Sequence, residues 1–209
     1  MIAIIDYNAG NLTSVSHALS FIGYPCTVTN DIKTILDAER IIFPGVGAAG
    51  SAMKSLKELS LDHTIKKFFS SGKPVLGICL GTQIIMGHSE ENDAQCIDIV
   101  QGEVKAFPHN LISEDGDKLK IPHMGWNRIK PTRRHPVLAG LHSDDEFYFV
   151  HSYYPEPSDK AHTIAHTDYG ICFSSIIGFE NMIATQFHPE KSGKPGLNFL
   201  ENFCKWQPC

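Results

Sequence analysis

Between Pro74 and Ile78 the chain reads "PVLGI", an apolar stretch too short for a helix and without the polar alternation of a half-exposed strand. It runs directly into a helix-like stretch from about Leu80 to Met86. A strand with no polar face has to be covered on both sides, the situation of a parallel strand between two layers of helices. The same unit recurs upstream. "IAIID" (Ile2 to Asp6) precedes "NLTSVSHALSFIG", where Leu12, Val15, Leu19 and Ile22 mark one helical face and Gly23 fits the helix end. "CTVT" (Cys26 to Thr29) and "RIIF" (Arg40 to Phe43) read as strands, followed by two helix-like stretches up to Ser71. Repeated βα units predict a parallel sheet with helices on both faces.

After Glu90 the texture changes. "IVQGEVKAF", "KLKIPHMGWNRIK", "EFYFVHSYY", "HTIAHTDYG", "ICFSSIIG" and "MIATQF" read as short strands, partly antiparallel, and "GLNFLENFCKW" as a closing helix. The prediction is one α/β domain over residues 1–209, with a central mixed, mostly parallel sheet flanked by helices. No repeat, low-complexity segment or linker divides the 209 residues.

The net charge of −5, with no run of Lys or Arg longer than a pair, gives no basic face for a phosphate backbone. Nucleic acid is therefore not an expected partner. The amino terminus offers an apolar run of only five residues with no basic segment before it, and no stretch approaches the roughly 18 apolar residues of a membrane span. A cytoplasmic protein with no membrane association is expected. The six cysteines form no C-x-x-C pair, which suits neither a disulfide framework nor a zinc site. Without H-E-x-x-H or a Cys/His cluster, no metal is expected, and no cofactor. His162 and His166 are four apart but fall in a strand-like segment, which separates them.

One cysteine stands apart. In "GICLGTQ", Gly77-x-Cys79-x-Gly81 has the form of a nucleophile elbow, a sharp strand-to-helix turn with the nucleophile at its corner. The unpaired N–H groups of a helix start favour the thiolate, and the Leu80 N–H can donate to a developing oxyanion. A buried, inert cysteine is the commoner case, but the strand, glycine, helix setting argues for reactivity. Among eleven histidines, His188 in "QFHPEKSG" stands at a strand end with Glu190 two residues on, the arrangement of a base oriented by a carboxylate. Alone, "HPE" also fits a surface loop.

A rival motif lies in "RIIFPGVGAAG", where Gly45-x-Gly47-x-x-Gly50 follows a strand and precedes a helix. It matches the dinucleotide fingerprint in form. Two strands precede it, however, and the next strand ends at Cys79 without an acidic residue, which is the wrong place and the wrong partner. The glycines can instead present bare N–H groups toward the cysteine. There is no Gly-Lys-Ser/Thr, so a P-loop is excluded.

Through "GICLGTQ" and "QFHPEKSG" the chain resembles the class I, triad-type glutamine amidotransferases, whose fold is flavodoxin-like. "NAGNLTSV", "FPGVGAAGSAM", "IPHMGWNRI" and "FYFVHSYY" extend the likeness across nearly the whole chain, to the glutaminase subunits of L-histidine biosynthesis. The resemblance implies that Cys79 attacks the carboxamide of L-glutamine, that His188 shuttles the proton and that Glu190 orients His188. It implies that Val46, after a turn of the "PGVG" peptide, joins Leu80 in the oxyanion hole. Gly47, Gln83, His151, Ser152 and Tyr153 correspond to positions that hold glutamine. Asn11, Met124 and Trp126 correspond to the face toward a cyclase subunit, a (β/α)8 barrel that takes the ammonia to make imidazole glycerol phosphate and aminoimidazole carboxamide ribotide.

Core burial is the plainer expectation for Phe147, Tyr148 and Phe149, and a bland alternative for Met124 and Trp126. Two departures from the family pattern are Thr82, where Met is usual, and the longer, more acidic "HNLISEDGDKLK" before "IPHMGWN". Three other readings remain open: a paralogue feeding a sugar-amidation enzyme, a stand-alone cysteine hydrolase of γ-glutamyl substrates, and a non-catalytic nucleotide-binding module.

Overall fold

The computed structural model describes residues 1–8, 10–113 and 116–208. Ala9, Cys209, and Glu114 and Asp115 of the acidic segment lie outside the described residues. The first part alternates strands and helices: β1 (Ile2–Ile5), α1 (Leu12–Phe21), β2 (Cys26–Thr29), α2 (Ile32–Asp37), β3 (Arg40–Gly45), α3 (Ala49–Glu58), α4 (Leu61–Phe69), β4 (Val75–Cys79) and α5 (Leu80–Ile84). The second part is mostly strands: β5 (His88–Ser89), β6 (Ala94–Gln95), β7 (Gly102–Ala106), β8 (His123–Arg128), β9 (Lys130–Pro131), β10 (Glu146–His151), β11 (Tyr153–Pro157), β12 (Thr163–Asp168), β13 (Cys172–Phe179) and β14 (Met182–Thr185), before α6 (Gly193–Lys205).

Eight strands form the main sheet in the order β2-β1-β3-β4-β14-β13-β12-β9. The five from β2 to β14 are parallel and the remaining pairs antiparallel. The period of two along each strand divides the core. Ile2, Ile4, Ile42, Leu76, Ile78 and Ile183 pack on one face with α1 and α6; Ala3, Ile5, Ile41, Phe43, Val75 and Ala184 pack on the other with α2 to α5. Both faces are thus apolar for a structural reason, since each carries its own helix layer.

Two features were not visible in the sequence pattern. Helix α2 is one and a half turns long, too short to show a periodicity; its start is marked by Asp31, whose side chain accepts from the Thr34 N–H at 2.7 Å. The helix after Cys79 ends at Ile84 rather than near Met86. Outside the main sheet, β11-β7-β5-β6 make a second sheet and β8 pairs with β10 in an antiparallel ribbon.

The strand order 2-1-3-4 followed by β14 is that of a doubly wound fold, in which ligands bind beyond the carboxyl ends of the parallel strands. Those ends belong to neighbouring strands here: "PGVG" at the end of β3, Cys79 at the end of β4 and "FHPE" after β14.

Candidate functional site

The elbow is built by close backbone approach. A Cβ on Gly81 would stand 1.9 Å from the carbonyl oxygen of Phe43 in β3, and one on Gly77 would meet the Ala184 methyl at 3.0 Å. With both side chains absent, α5 starts flush against the sheet and Cys79 occupies the corner with φ 53° and ψ −105°. A residue with a Cβ is strained there by about 1–3 kcal/mol, a cost typical of positions held for function. Thr82, the departure from the usual methionine, is fully buried and its hydroxyl donates to the Thr185 carbonyl at 2.6 Å, tying α5 to β14.

His188 enters from the other side. Its N–H donates to the Tyr148 carbonyl of β10 at 2.9 Å, and the Ser192 hydroxyl braces the turn by donating to the His188 carbonyl at 2.6 Å. A Cβ on Gly196 of α6 would stand 2.0 Å from the Pro189 carbonyl oxygen, so the helix presses directly on this turn. Imidazole Nδ1 lies 2.7 Å from Glu190 Oε1, and the two side chains are 1% and 0% exposed. An ionised carboxylate only accepts, so Nδ1 carries a proton and Nε2 is the atom left for exchange. Nε2 makes no hydrogen bond of ordinary geometry, although Cys79 is close enough to act on the ring. Burial opposes the imidazolium, but the charge of Cys79 and hydrogen bonding to it, with Glu190 acting in the same sense, raise His188 above the ordinary histidine range.

Val46, Gly47, Leu80, Gln83, His151, Ser152 and Tyr153 line one cavity of about 330 Å³ together with Cys79. Gly47 has φ 104°, a conformation that favours glycine. The Gln83 amide nitrogen donates to the Tyr153 carbonyl at 2.9 Å and to Gln186 Oε1 at 3.1 Å, which leaves its Oε1 for a ligand. His151 has both ring nitrogens engaged, by the Tyr153 carbonyl at 2.8 Å and by His123 Nδ1 at 3.0 Å. Its ring therefore offers a ligand an edge and not a polar atom. Burial lowers His151 to about 3 and His123 to about 4, so both are neutral near pH 7. A larger open cleft of about 690 Å³ includes Arg133, Arg134 and His135 but neither a cysteine nor a carboxylate in its lining.

Asn11 is half-buried and its side chain reaches both partners of the pair, donating to Glu190 Oε1 and lying 3.5 Å from His188 Nδ1. Met124 and Trp126 are 61% and 55% exposed on β8. Trp126 stands opposite Tyr148 in the ribbon and their rings meet edge to face. Phe147 and Phe149 are fully buried, but Tyr148, one step out of phase, turns to the opposite face beside Trp126 and Lys191. It is not a core residue, which corrects the expectation from the sequence.

Three residues to which no sequence motif gave a role also belong to the site, although Gln186 opens "QFHPEKSG". Glu91 lines the cavity, its Oε2 accepting from the Ala49 N–H at 2.7 Å. Gln186 is fully buried and donates to Cys79 Sγ at 3.7 Å. Tyr7 is 1% exposed, and a Cβ on Gly45 would fall 2.0 Å from its hydroxyl, which has no hydrogen-bond partner. Burial pushes this phenol up, with Cys79 adding to the effect.

Of the remaining cysteines, Cys204 is buried, Cys26 and Cys96 are half-buried and Cys172 is exposed, all as free thiols. Among the described residues no group of three or more His, Cys, Asp or Glu side chains is placed to hold a metal ion, and no helix is long and apolar enough to cross a membrane.

An elbow cysteine thus lies beside a buried histidine–carboxylate pair at the carboxyl edge of a doubly wound sheet, an arrangement chemically suited to acyl transfer. The chain belongs to the class-I glutamine amidotransferases, whose family model matches residues 3–206. Within that family it is 48% identical to the imidazole glycerol phosphate synthase subunit HisH of Nitratidesulfovibrio vulgaris strain DP4, over 99% of this chain and 96% of that protein. It is 45% identical to the HisH subunit of Dehalococcoides mccartyi strain CBDB1, over 98% of this chain and 97% of that one. Among solved structures, one described as a glutamine amidotransferase superposes with a TM-score of 0.74 at 16% identity, covering 98% of this chain and all of the other. PurLQS from Thermotoga maritima gives 0.71 at 15% identity, covering 98% and 97%. These two likenesses carry the fold alone.

Proposed function

We propose that residues 1–209 act as one amidotransferase domain, the glutaminase subunit of an imidazole glycerol phosphate synthase, with Cys79, His188 and Glu190 as its triad. The observation that carries the triad is geometric: a strained cysteine opens on a cavity and adjoins an imidazole whose only unpaired nitrogen is buried beside it. Kinship with HisH subunits at 45–48% identity supports the pathway.

In the first half-reaction the Cys79 sulfur attacks the side-chain amide carbon of L-glutamine. The carbonyl oxygen becomes an oxyanion held by the Leu80 N–H, which opens α5, and by the Val46 N–H once the "PGVG" peptide turns toward it. His188, protonated at Nε2, gives that proton to the departing nitrogen; the C–N bond breaks, and ammonia leaves a γ-glutamyl thioester on Cys79. Glu190 keeps the Nδ1 proton in place throughout. Water then gives a proton to His188 and attacks the thioester, releasing glutamate and returning the sulfur to its starting state. Glu91 supplies a carboxylate to the ammonium end of glutamine, and Gln83 Oε1, Gly47 and the backbone of His151, Ser152 and Tyr153 fill the remaining lining.

The ammonia passes to a cyclase subunit, HisF, a (β/α)8 barrel bound as a heterodimer in the cytoplasm. The exposed Trp126 and Met124 support a docking face there, since Trp anchors are characteristic of interface centres. An oxyanion donor that is absent until the "PGVG" peptide turns would hold the rate down by roughly 10²- to 10³-fold, enough to keep glutamine from being wasted when the barrel is empty. The test is glutamate release by the parent and Cys79→Ala proteins, with and without liganded cyclase. Activity strongly stimulated by the cyclase in the parent and absent in the variant is expected; parent-level hydrolysis by the variant would overturn the role of Cys79, and equal rates with and without cyclase would overturn the coupling.

A further inference from the structure

Carbonyl oxygens only accept hydrogen bonds, and that rule sets the direction of a buried chain of side chains around the nucleophile. The Tyr153 carbonyl receives Gln83 Nε2 at 2.9 Å, so the nitrogen end of Gln83 must face it. The same nitrogen has a second proton, directed at Gln186 Oε1 at 3.1 Å. Gln186 is thereby turned with its oxygen toward Gln83 and its nitrogen toward Cys79 Sγ, at 3.7 Å. The Tyr153 carbonyl is itself part of a longer sequence, since His151 Nδ1 donates to it, His123 Nδ1 donates to His151 Nε2, and Asn127 Nδ2 approaches His123 Nε2 at 3.3 Å. No member can reverse without placing two donors or two acceptors face to face inside the protein, at a cost typical of unsatisfied buried polar groups.

We infer that Gln186 is a fixed hydrogen-bond donor to the Cys79 sulfur, locked in that orientation by Gln83 and the Tyr153 carbonyl, and that it stabilises the attacking thiolate and the sulfur that leaves when the thioester is hydrolysed. The inference rests on Cys79 being the nucleophile. In the thiol form the sulfur donates toward the Val150 carbonyl at 3.8 Å while accepting from Gln186. Loss of the proton removes the Val150 contact and leaves the Gln186 donor as a charge-assisted bond, which is the stronger kind. Gln186 is fully buried beside a cysteine that is itself 6% exposed, so little water is at hand to replace it.

Alkylation of the full-length chain by iodoacetamide, followed by mass spectrometry of the Cys79 peptide across pH, reads the thiolate without needing the glutamine cavity to be intact. Gln186→Met removes the donor, and Gln186→Glu keeps the shape while putting an oxygen against the sulfur. The expected result is an upward move of the alkylation midpoint by about one pH unit in Gln186→Met, or roughly tenfold less thiolate at neutral pH, and by more in Gln186→Glu. A midpoint unmoved in both variants would overturn the inference. Should either fail to fold, the unmodified protein carries the test: the side-chain amide resonances of Gln186 should shift with the same midpoint as alkylation, and resonances that stay fixed while Cys79 titrates would overturn it equally. The outcomes separate the two proposals. Hydrolysis that survives complete alkylation of Cys79 would remove the nucleophile assignment, whereas alkylation-sensitive hydrolysis with an unmoved midpoint would remove only the role of Gln186.

Discussion

Replacing Gly81 by Ala places a methyl carbon 1.9 Å from the Phe43 carbonyl oxygen and 3.1 Å from its carbon. A carbon and a carbonyl oxygen settle at about 3.3 Å or more, so one of the two must retreat by about 1.4 Å. Phe43 cannot easily do so, because it is fully buried and its backbone lies in the parallel ladder opposite Gly77. The start of α5 has to lift instead, and with it the Leu80 N–H and the Cys79 sulfur. Overpacking of this kind costs about 1–3 kcal/mol or somewhat more, and a displacement near 1 Å at a reacting group costs about 10²-fold in rate. Gly77→Ala is the internal comparison, because its methyl would meet Ala184 Cβ at 3.0 Å and the Gly81 carbonyl group at 3.2 Å, an overlap of a few tenths of an ångström. Urea unfolding and glutaminase assays at saturating cyclase on both variants should give Gly81→Ala a stability loss of about 2–3 kcal/mol and a kcat at least 10²-fold down, with Gly77→Ala losing about 1 kcal/mol and less than tenfold. A Gly81→Ala protein as stable and active as Gly77→Ala would refute the claim that the elbow depends on contact with β3.

Glu190→Gln keeps the shape of a fully buried side chain but removes the charge opposite Nδ1; kcat should fall about 10²- to 10⁴-fold, and a loss below tenfold in steady-state assays would contradict an orienting role. Burial holds His123 near 4 and His151 near 3 in the folded protein, below the unfolded value of about 6.5, so the unfolded chain binds more protons between these limits. Stability should therefore fall as pH drops below about 6.5, by up to about 1.4 kcal/mol per pH unit for each histidine. His188, shifted the other way, contributes stability that is in place below about 6.5 and lost only as pH rises toward its folded value; urea melts equally stable at pH 7 and pH 5 would contradict the neutral buried pair. Trp126→Ala should weaken cyclase binding by about 2 kcal/mol, roughly 30-fold, as read by calorimetric titration, and unchanged affinity would move the docking face elsewhere.

Much of this protein is local and therefore readable along the chain. Uninterrupted apolar strands such as "PVLGI" demanded cover on both faces, Gly77 and Gly81 marked the turn at Cys79, and the two-residue step from His188 to Glu190 placed a carboxylate within reach of the ring. Periodicity failed where an element was too short to show it, as in α2, or where one side chain sat out of phase, as in Tyr148.

What the tertiary structure alone decided are the contacts between segments far apart in the chain. Gln186 lies 107 residues from the sulfur it faces, Asn11 lies 179 from Glu190, and Glu91 reaches the cavity from the turn before β6. Gln186 and Asn11 stand in "QFHPEKSG" and "NAGNLTSV" and Glu91 in no motif, but nothing in the local composition tells which partner any of these side chains meets. Their chemistry arises because β14 lies beside β4 in the sheet and the chain's return through β10 and α6 buries the ends of both, so that a polar side chain there must find its partner inside the protein. Strand order is a property of the packed whole, and the donor at the sulfur follows from strand order.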